Sequence, residues 1–173
     1  RLRIDEPPTF QPLVAAASPA GVTTPPFAVD DWLANRPQTE QKTPFPFATV
    51  RDYHRAYAEG TLTPVEVAQR VIAAIAASDD DAKPLRAFIA SRADDIMAQA
   101  EASAARWREG KPLSVFDGVP LAVKDEVDMV PYGTTVGTRF LGQTPAREDA
   151  TVVARMRAAG ALLLGKTNMH EIG

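Results

Sequence analysis

Apolar positions along the chain fall into three regimes. Residues 1–46 show no sustained period, residues 49–110 repeat at helical spacing, and beyond 118 short unbroken apolar runs appear. The helical stretch opens with TVRDYHRAYAEG, where Thr49 reads as an N-cap. Val50, Tyr53 and Tyr57 share one face, and Gly60 is a stop. In TLTPVEVAQRVIAAIAAS, Thr63 is an N-cap, Pro64 occupies the first helical position and Glu66 completes a capping box. Val65, Ala68, Val71, Ile72 and Ile75 form its apolar stripe. RAFIA (86–90) reads as a short strand. Ser91 then caps a third helix with Ile96, Ala100, Ala104 and Trp107 inward and Gly110 at its end.

The runs after 118 obey a different rule. GVPLAV (118–123) ends in the charged cluster KDEVD, and ALLL (161–164) is short enough for a buried strand. Between them EDATVVARMRAAG reads as a helix capped by Asp149, lined by Val152, Val153, Met156 and Ala159 and stopped by Gly160. Strand, helix, strand predicts a parallel pair, 119–123 and 161–164, joined through helix 150–159, with helices 50–59 and 63–77 packed outside. The fold class is therefore α/β. The segment 125–148 has no period of its own, and structureless loops of such length tend to be functional.

Proline marks the first regime: nine of the 15 prolines lie between Pro7 and Pro46. Proline blocks helix interiors and removes backbone donors. The domain reading is an irregular arm at 1–48, with one short helix at 28–35 (AVDDWLAN), and a folded body at 49–173. The start at Arg1 reads as a processed or trimmed one. Net charge is −3 with no basic cluster, which argues against a nucleic-acid partner. Absence of cysteine removes disulfides, Cys-based metal sites and a Cys nucleophile, and leaves the compartment open.

Three patterns carry candidate chemistry. Gly160 to Thr167 fits the phosphate-loop spacing G-x-x-x-x-G-K-[ST]. Its context is wrong, because a helix precedes the first glycine and the intervening Ala-Leu-Leu-Leu is strand-like and apolar. His170-Glu171 resembles the start of a zinc-binding H-E-x-x-H, but reads better as a polar loop after a strand, with no metal. The sharpest signal is GVPLAVKDE. Alternation puts Val119, Leu121 and Val123 on one face, and Pro120, Ala122 and Lys124 on the other. Lys124 thus ends a strand where open α/β sheets place ligands. Either it is a functional amine, or it is a strand-end lysine paired with Asp125, Glu126 or Asp128.

FDGVPLAVKDEVDM, YGTTVGTRFLG and EDATVVARMRAAGALLLGKTNMHE, in this order and spacing, resemble the amidase signature family of serine hydrolases from Thr49 onward. Within it the likeness is strongest to plant-type fatty acid amide hydrolases, on KPLSVFDGVPLAVKDEVDMVPYGTTVGTRFLG and TNMHEIG. The resemblance implies an amidase signature fold, helices around a large mixed, mainly parallel sheet, of which this chain holds the N-terminal part. It implies a Ser–cis-Ser–Lys triad with Lys124 as the terminal base, neutral at rest, and Asp125 as a structural partner. Asn168 to Gly173 would approach the acyl-binding space, making Asn168 and Gly173 substrate-binding. No cofactor is implied. The substrate would be a small amide with a fatty acyl group, such as an N-acylethanolamine. An intracellular enzyme is implied, with peripheral membrane contact and a homodimer left open. None of Ser78, Ser91, Ser103 and Ser114 has the Gly/Ser-rich context of the triad serines, so this chain alone is expected to be inactive. The competing readings are a non-catalytic remnant and a glutamine-dependent amidotransferase subunit.

Overall fold

The computed structural model describes residues 48–80 and 82–173; the arm and its expected helix at 28–35 lie outside the described residues. Helix α1 (Val50–Ala58) starts at the expected cap: Thr49 and Asp52 close a capping box in which the Thr49 side chain accepts from Asp52 N–H. Helix α2 (Pro64–Asp79) starts at the Thr63–Glu66 capping box, with Pro64 at the first turn. Both starts depend on residues three apart, and for that reason they are visible in the sequence.

Strand β1 (Phe88–Ala90) is followed by helix α3 (Ala93–Arg108). The expected Ser91 cap is not formed. Arg92 is the N-cap, without a side-chain bond, and Ser91 Oγ instead donates to the Leu164 carbonyl at 2.8 Å. Strand β2 (Pro120–Lys124), helix α4 (Thr151–Ala158) and strand β3 (Leu162–Thr167) form the expected crossover. Asp149 is not the α4 cap either: Ala150 is, and Asp149 pairs with Arg157 at 2.7 Å while accepting from Val130 N–H. Val152 is 55% exposed, contrary to the expected apolar face; an eight-residue helix offers a narrow buried stripe, and Val153 takes it.

The sheet order is β1-β3-β2, with β3 parallel to β2 and antiparallel to β1. This is the mixed sheet expected of the fold class, and β3 lies at its centre. Leu162 and Leu164 pack with Ala68, Ile96 and Ala100 of α2 and α3. Ala161 and Leu163 pack with Val153, Met129, Tyr132 and Val123 on the other face. A strand covered on both faces needs an unbroken apolar run. Each such side chain stabilises the fold by roughly 1.5–3 kcal/mol. The phosphate-loop pattern is therefore a buried strand and cannot wrap a hydrated anion.

Register slips once in the parallel pair. Leu121 lies opposite Leu163, and Val123 opposite Lys166, so two steps on β2 match three on β3. The extra residue is a β-bulge at Gly165, where φ is +133° and a Cβ would sit 2.3 Å from the Ala90 carbonyl oxygen. Strict alternation would turn Lys166 to the face of Leu162 and Leu164. After the bulge it shares the face of Val123 and Leu163 instead.

Entry into β2 is fixed by Asp117. Its buried carboxylate accepts from Ser103 Oγ at 2.6 Å, from Arg106 Nε and Nη2 at 2.8 and 2.7 Å, and from Leu113 N–H at 2.8 Å. Burial pushes this carboxyl up, but the bonds from Arg106, Ser103 and Leu113 outweigh it and hold it below the usual carboxylate range. Tyr57 Oη donates to the Gly118 carbonyl at 2.9 Å and ties α1 to the same corner.

Candidate active site

Lys124 stands at the carboxyl end of β2. Alternation holds there: Val123 is buried, and Ala122 and Lys124 are exposed. The Lys124 side chain retains 47% of its accessibility, and its Nζ lies 3.0 Å from Glu126 Oε1. Of the three acidic partners weighed for it, Glu126 is the one found.

Asp125 turns the other way. Its side chain is 1% exposed and lies 3.0 Å from Lys166 Nζ, which is fully buried. Lys166 also donates to the Gly133 carbonyl at 3.1 Å and to Thr134 Oγ1 at 3.2 Å, so each of its three protons has an acceptor. Asp125 in turn accepts from Thr135 N–H at 3.2 Å, from Thr135 Oγ1, and from Gly137 N–H at 3.5 Å. Burial alone would raise the Asp125 carboxyl; the hydrogen bonds of Thr135 and Lys166 and the Lys166 charge reverse this and hold it below the usual range.

The segment 125–148 is thus anchored rather than loose. Val136 N–H donates to the Asp125 carbonyl at 3.1 Å, and Val136 holds a φ of +52°, an unfavourable region for a β-branched residue. Farther along, Ala146 N–H donates to the Tyr132 carbonyl and Ala150 N–H to the Asp128 carbonyl. The Lys-Asp, Thr-Thr and Gly-Lys-Thr stretches meet around one buried ion pair. Sequence reasoning rejected the phosphate-loop pattern, gave Lys166 no role and missed this pair. The available signal was a glycine inside a strand run, which marks a bulge and reverses side-chain parity.

Asn168 and Gly173 are separated. Asn168 is directed toward the segment before β1: its Nδ2 donates to the Arg86 carbonyl at 3.2 Å and its N–H to the Ala87 carbonyl at 2.8 Å. Gly173 lies beside the partner of Lys124, as a Cβ there would be 3.7 Å from Glu126 Oε2. His170 and Glu171 are exposed, and among the described residues no group of three His, Cys, Asp or Glu side chains could hold a metal ion. A cavity of about 660 Å³ is lined by residues of α1 to α3 and their connections, including Tyr57, Leu62 and Trp107. It has no lining residue from β2, β3 or 125–148, so it is not the space in front of Lys124.

Each described serine is already a donor elsewhere. Ser78 bonds the Ile75 carbonyl, Ser91 the Leu164 carbonyl, Ser103 the Asp117 carboxylate and Ser114 the Ala159 carbonyl. What the arrangement offers chemically is an accessible primary amine at a strand end.

Comparison with known proteins bears on that amine. The profile of the family described as Amidase matches residues 66–173. A fatty acid amide hydrolase of Oryza sativa subsp. indica is 40% identical over 133 residues, covering 76% of this chain and 22% of the relative. A mitochondrial glutamyl-tRNA(Gln) amidotransferase subunit of Ixodes scapularis is 38% identical over 125 residues, covering 72% of this chain and 24% of the relative. Among solved structures, the native peptide amidase of Stenotrophomonas maltophilia superposes with a TM-score of 0.68 at 32% identity, over 74% of this chain and 26% of that one. The chain therefore spans about a quarter or less of the length of these curated relatives.

Proposed function

The chain belongs to the amidase family, and from that premise we propose that it carries the lysine of an amide hydrolase, with Lys124 as the terminal base of a Ser–cis-Ser–Lys triad. The observation that carries the reading is the division of labour between two lysines. Lys166 saturates the buried Asp125, and Lys124 is left at the open end of β2 with only the half-exposed Glu126 beside it among the described groups.

In the proposed reaction a serine Oγ attacks the amide carbonyl carbon. Its proton passes through the bridging serine to the free electron pair of Lys124 Nζ. The C–N bond breaks, and the amine leaves with a proton returned along the same route. Water then attacks the acyl ester and releases the carboxylic acid and the serine. Both serines come from a segment outside the described residues, because all four described serines are bonded away from Lys124. The Lys166–Asp125 network holds the 132–138 turn at the side of the site.

The proposed substrates are fatty acid amides such as N-acylethanolamines, supported by the 40% identity to the Oryza sativa fatty acid amide hydrolase. A glutamine-using amidotransferase component is the second reading, supported by 38% identity to the Ixodes scapularis protein. The test is a panel of an N-acylethanolamine, a peptide amide and glutamine, offered to a polypeptide that joins residues 1–173 to the serine-bearing segment. Release of ethanolamine at a kcat/KM at least about tenfold above ammonia release from glutamine is expected. Glutamine as the favoured substrate would replace the first reading with the second. Turnover by residues 1–173 alone would refute the assignment of the serines.

A further inference from the structure

Two lysines border one buried carboxylate. Lys124 precedes Asp125 in sequence, and Lys166 meets it across the parallel register, opposite Val123. Lys166 is fully buried and its three protons go to Asp125 Oδ1, the Gly133 carbonyl and Thr134 Oγ1. Thr134 Oγ1 donates onward to Asp128 Oδ1 at 2.6 Å, which occupies a second carboxylate of the same cluster. From this arrangement we infer that Lys166 is a positioning residue: it holds Asp125 in the buried pocket, away from Lys124, so that the Lys124 amine stays free to take a proton.

The reason is electrostatic. A carboxylate within about 4–6 Å favours the charged form of a lysine. A charged lysine has no electron pair to accept a proton. Lysine is also a flexible point charge, able to swing to any nearby anion. With Asp125 held by Lys166, the anion left in contact with Lys124 is Glu126, itself 45% exposed and therefore screened. The other ionisable groups on the segment that reaches this corner are His170 and Glu171, on the turn ending at Gly173 beside Glu126. The inference rests on the reading of Lys124 as the base.

Two measurements test it. In a hydrolytically active polypeptide carrying residues 1–173, Lys166→Met should lower kcat per folded molecule about 100-fold. KM should change less than about threefold, because acyl binding is untouched. The double variant Lys166→Met/Asp125→Asn should recover kcat to within about tenfold of wild type, since the only carboxylate near Lys124 among the described residues is then the screened Glu126 of the wild type. An unchanged kcat in the single variant, or an equal loss in both variants, would reduce Lys166 to packing and overturn the inference. The second measurement needs no turnover: a crystal structure of the Lys166→Met chain. The Asp125 carboxylate is expected within about 4 Å of Lys124 Nζ; if it stays on Thr135, the inference fails. This arm stands even if Lys124 proves not to be the base, so the two failures are distinguishable. Should Lys166→Met not fold, Lys166→Gln, whose amide keeps donors in the pocket, takes its place in both comparisons.

Discussion

Asp117 and Asp125 are both buried aspartates, but they act at different places. Asp117 fastens the entrance of β2 to α3 through Ser103 and Arg106, and Asp125 fastens its exit to Lys166. Removing one partner of such a pair leaves the other charge without its acceptor. Asp117→Asn is expected to lower unfolding free energy at pH 7 by about 2–3 kcal/mol, measured by urea titration. The effect should depend on pH in a fixed direction. The folded Asp117 carboxyl is held below its ordinary value, so around pH 3–4 the unfolded chain binds more protons than the folded one. The stability it contributes is complete above about pH 4 and is lost as pH falls through the folded value. The gap between wild type and Asp117→Asn should therefore close on acidification. A gap that widened would contradict the assigned pair.

At the level of elements, local devices are visible in the sequence and non-local ones are not. The capping boxes of α1 and α2 lie within four consecutive residues; the Thr49 cap and the Thr63–Glu66 box occur as expected, and Asp52 adds the reciprocal bond at α1. Ser91 and Asp149 look like caps by the same rule, yet their side chains bind Leu164 and Arg157, which no local pattern announces. The apolar run of β3 identified a buried strand, and the crossover gave its parallel pairing with β2. The side its lysine faces could not be read from period two, because Gly165 breaks the period. Gly165→Ala would drive a Cβ into the Ala90 backbone. We expect it to cost more than about 2 kcal/mol in thermal or urea unfolding. Gly60→Ala is the comparison: its φ is also positive, at +68°, but a Cβ there meets nothing within 4 Å. It should cost only about 1 kcal/mol. Equal costs would mean that Gly165 serves backbone freedom alone and not the close approach of β1 to β3.

On the scale of the whole molecule, three stretches far apart in sequence meet at one corner of the sheet. The Lys124–Asp125 step, the 133–137 turn and Lys166 are joined by hydrogen bonds, and the family profile covers all of them. The family resemblance was legible in the sequence because motif order and spacing survive without coordinates. The pairing of Asp125 with Lys166 was not, since it depends on a register shift and a turn that only the folded chain brings together. Among the described residues no helix is long and apolar enough to cross a membrane. The account turns on Lys124, which the buried Lys166–Asp125 network leaves at the open end of β2 beside Glu126. The most direct test is steady-state hydrolysis of a fatty acid amide by Lys124→Ala and Lys124→Arg, in the polypeptide that joins residues 1–173 to its serine-bearing segment. Both variants should fold, should lose about 10²–10⁴-fold in kcat, and should change KM far less, because alanine has no base and guanidinium stays protonated. Near-wild-type turnover by folded Lys124→Ala would contradict the account.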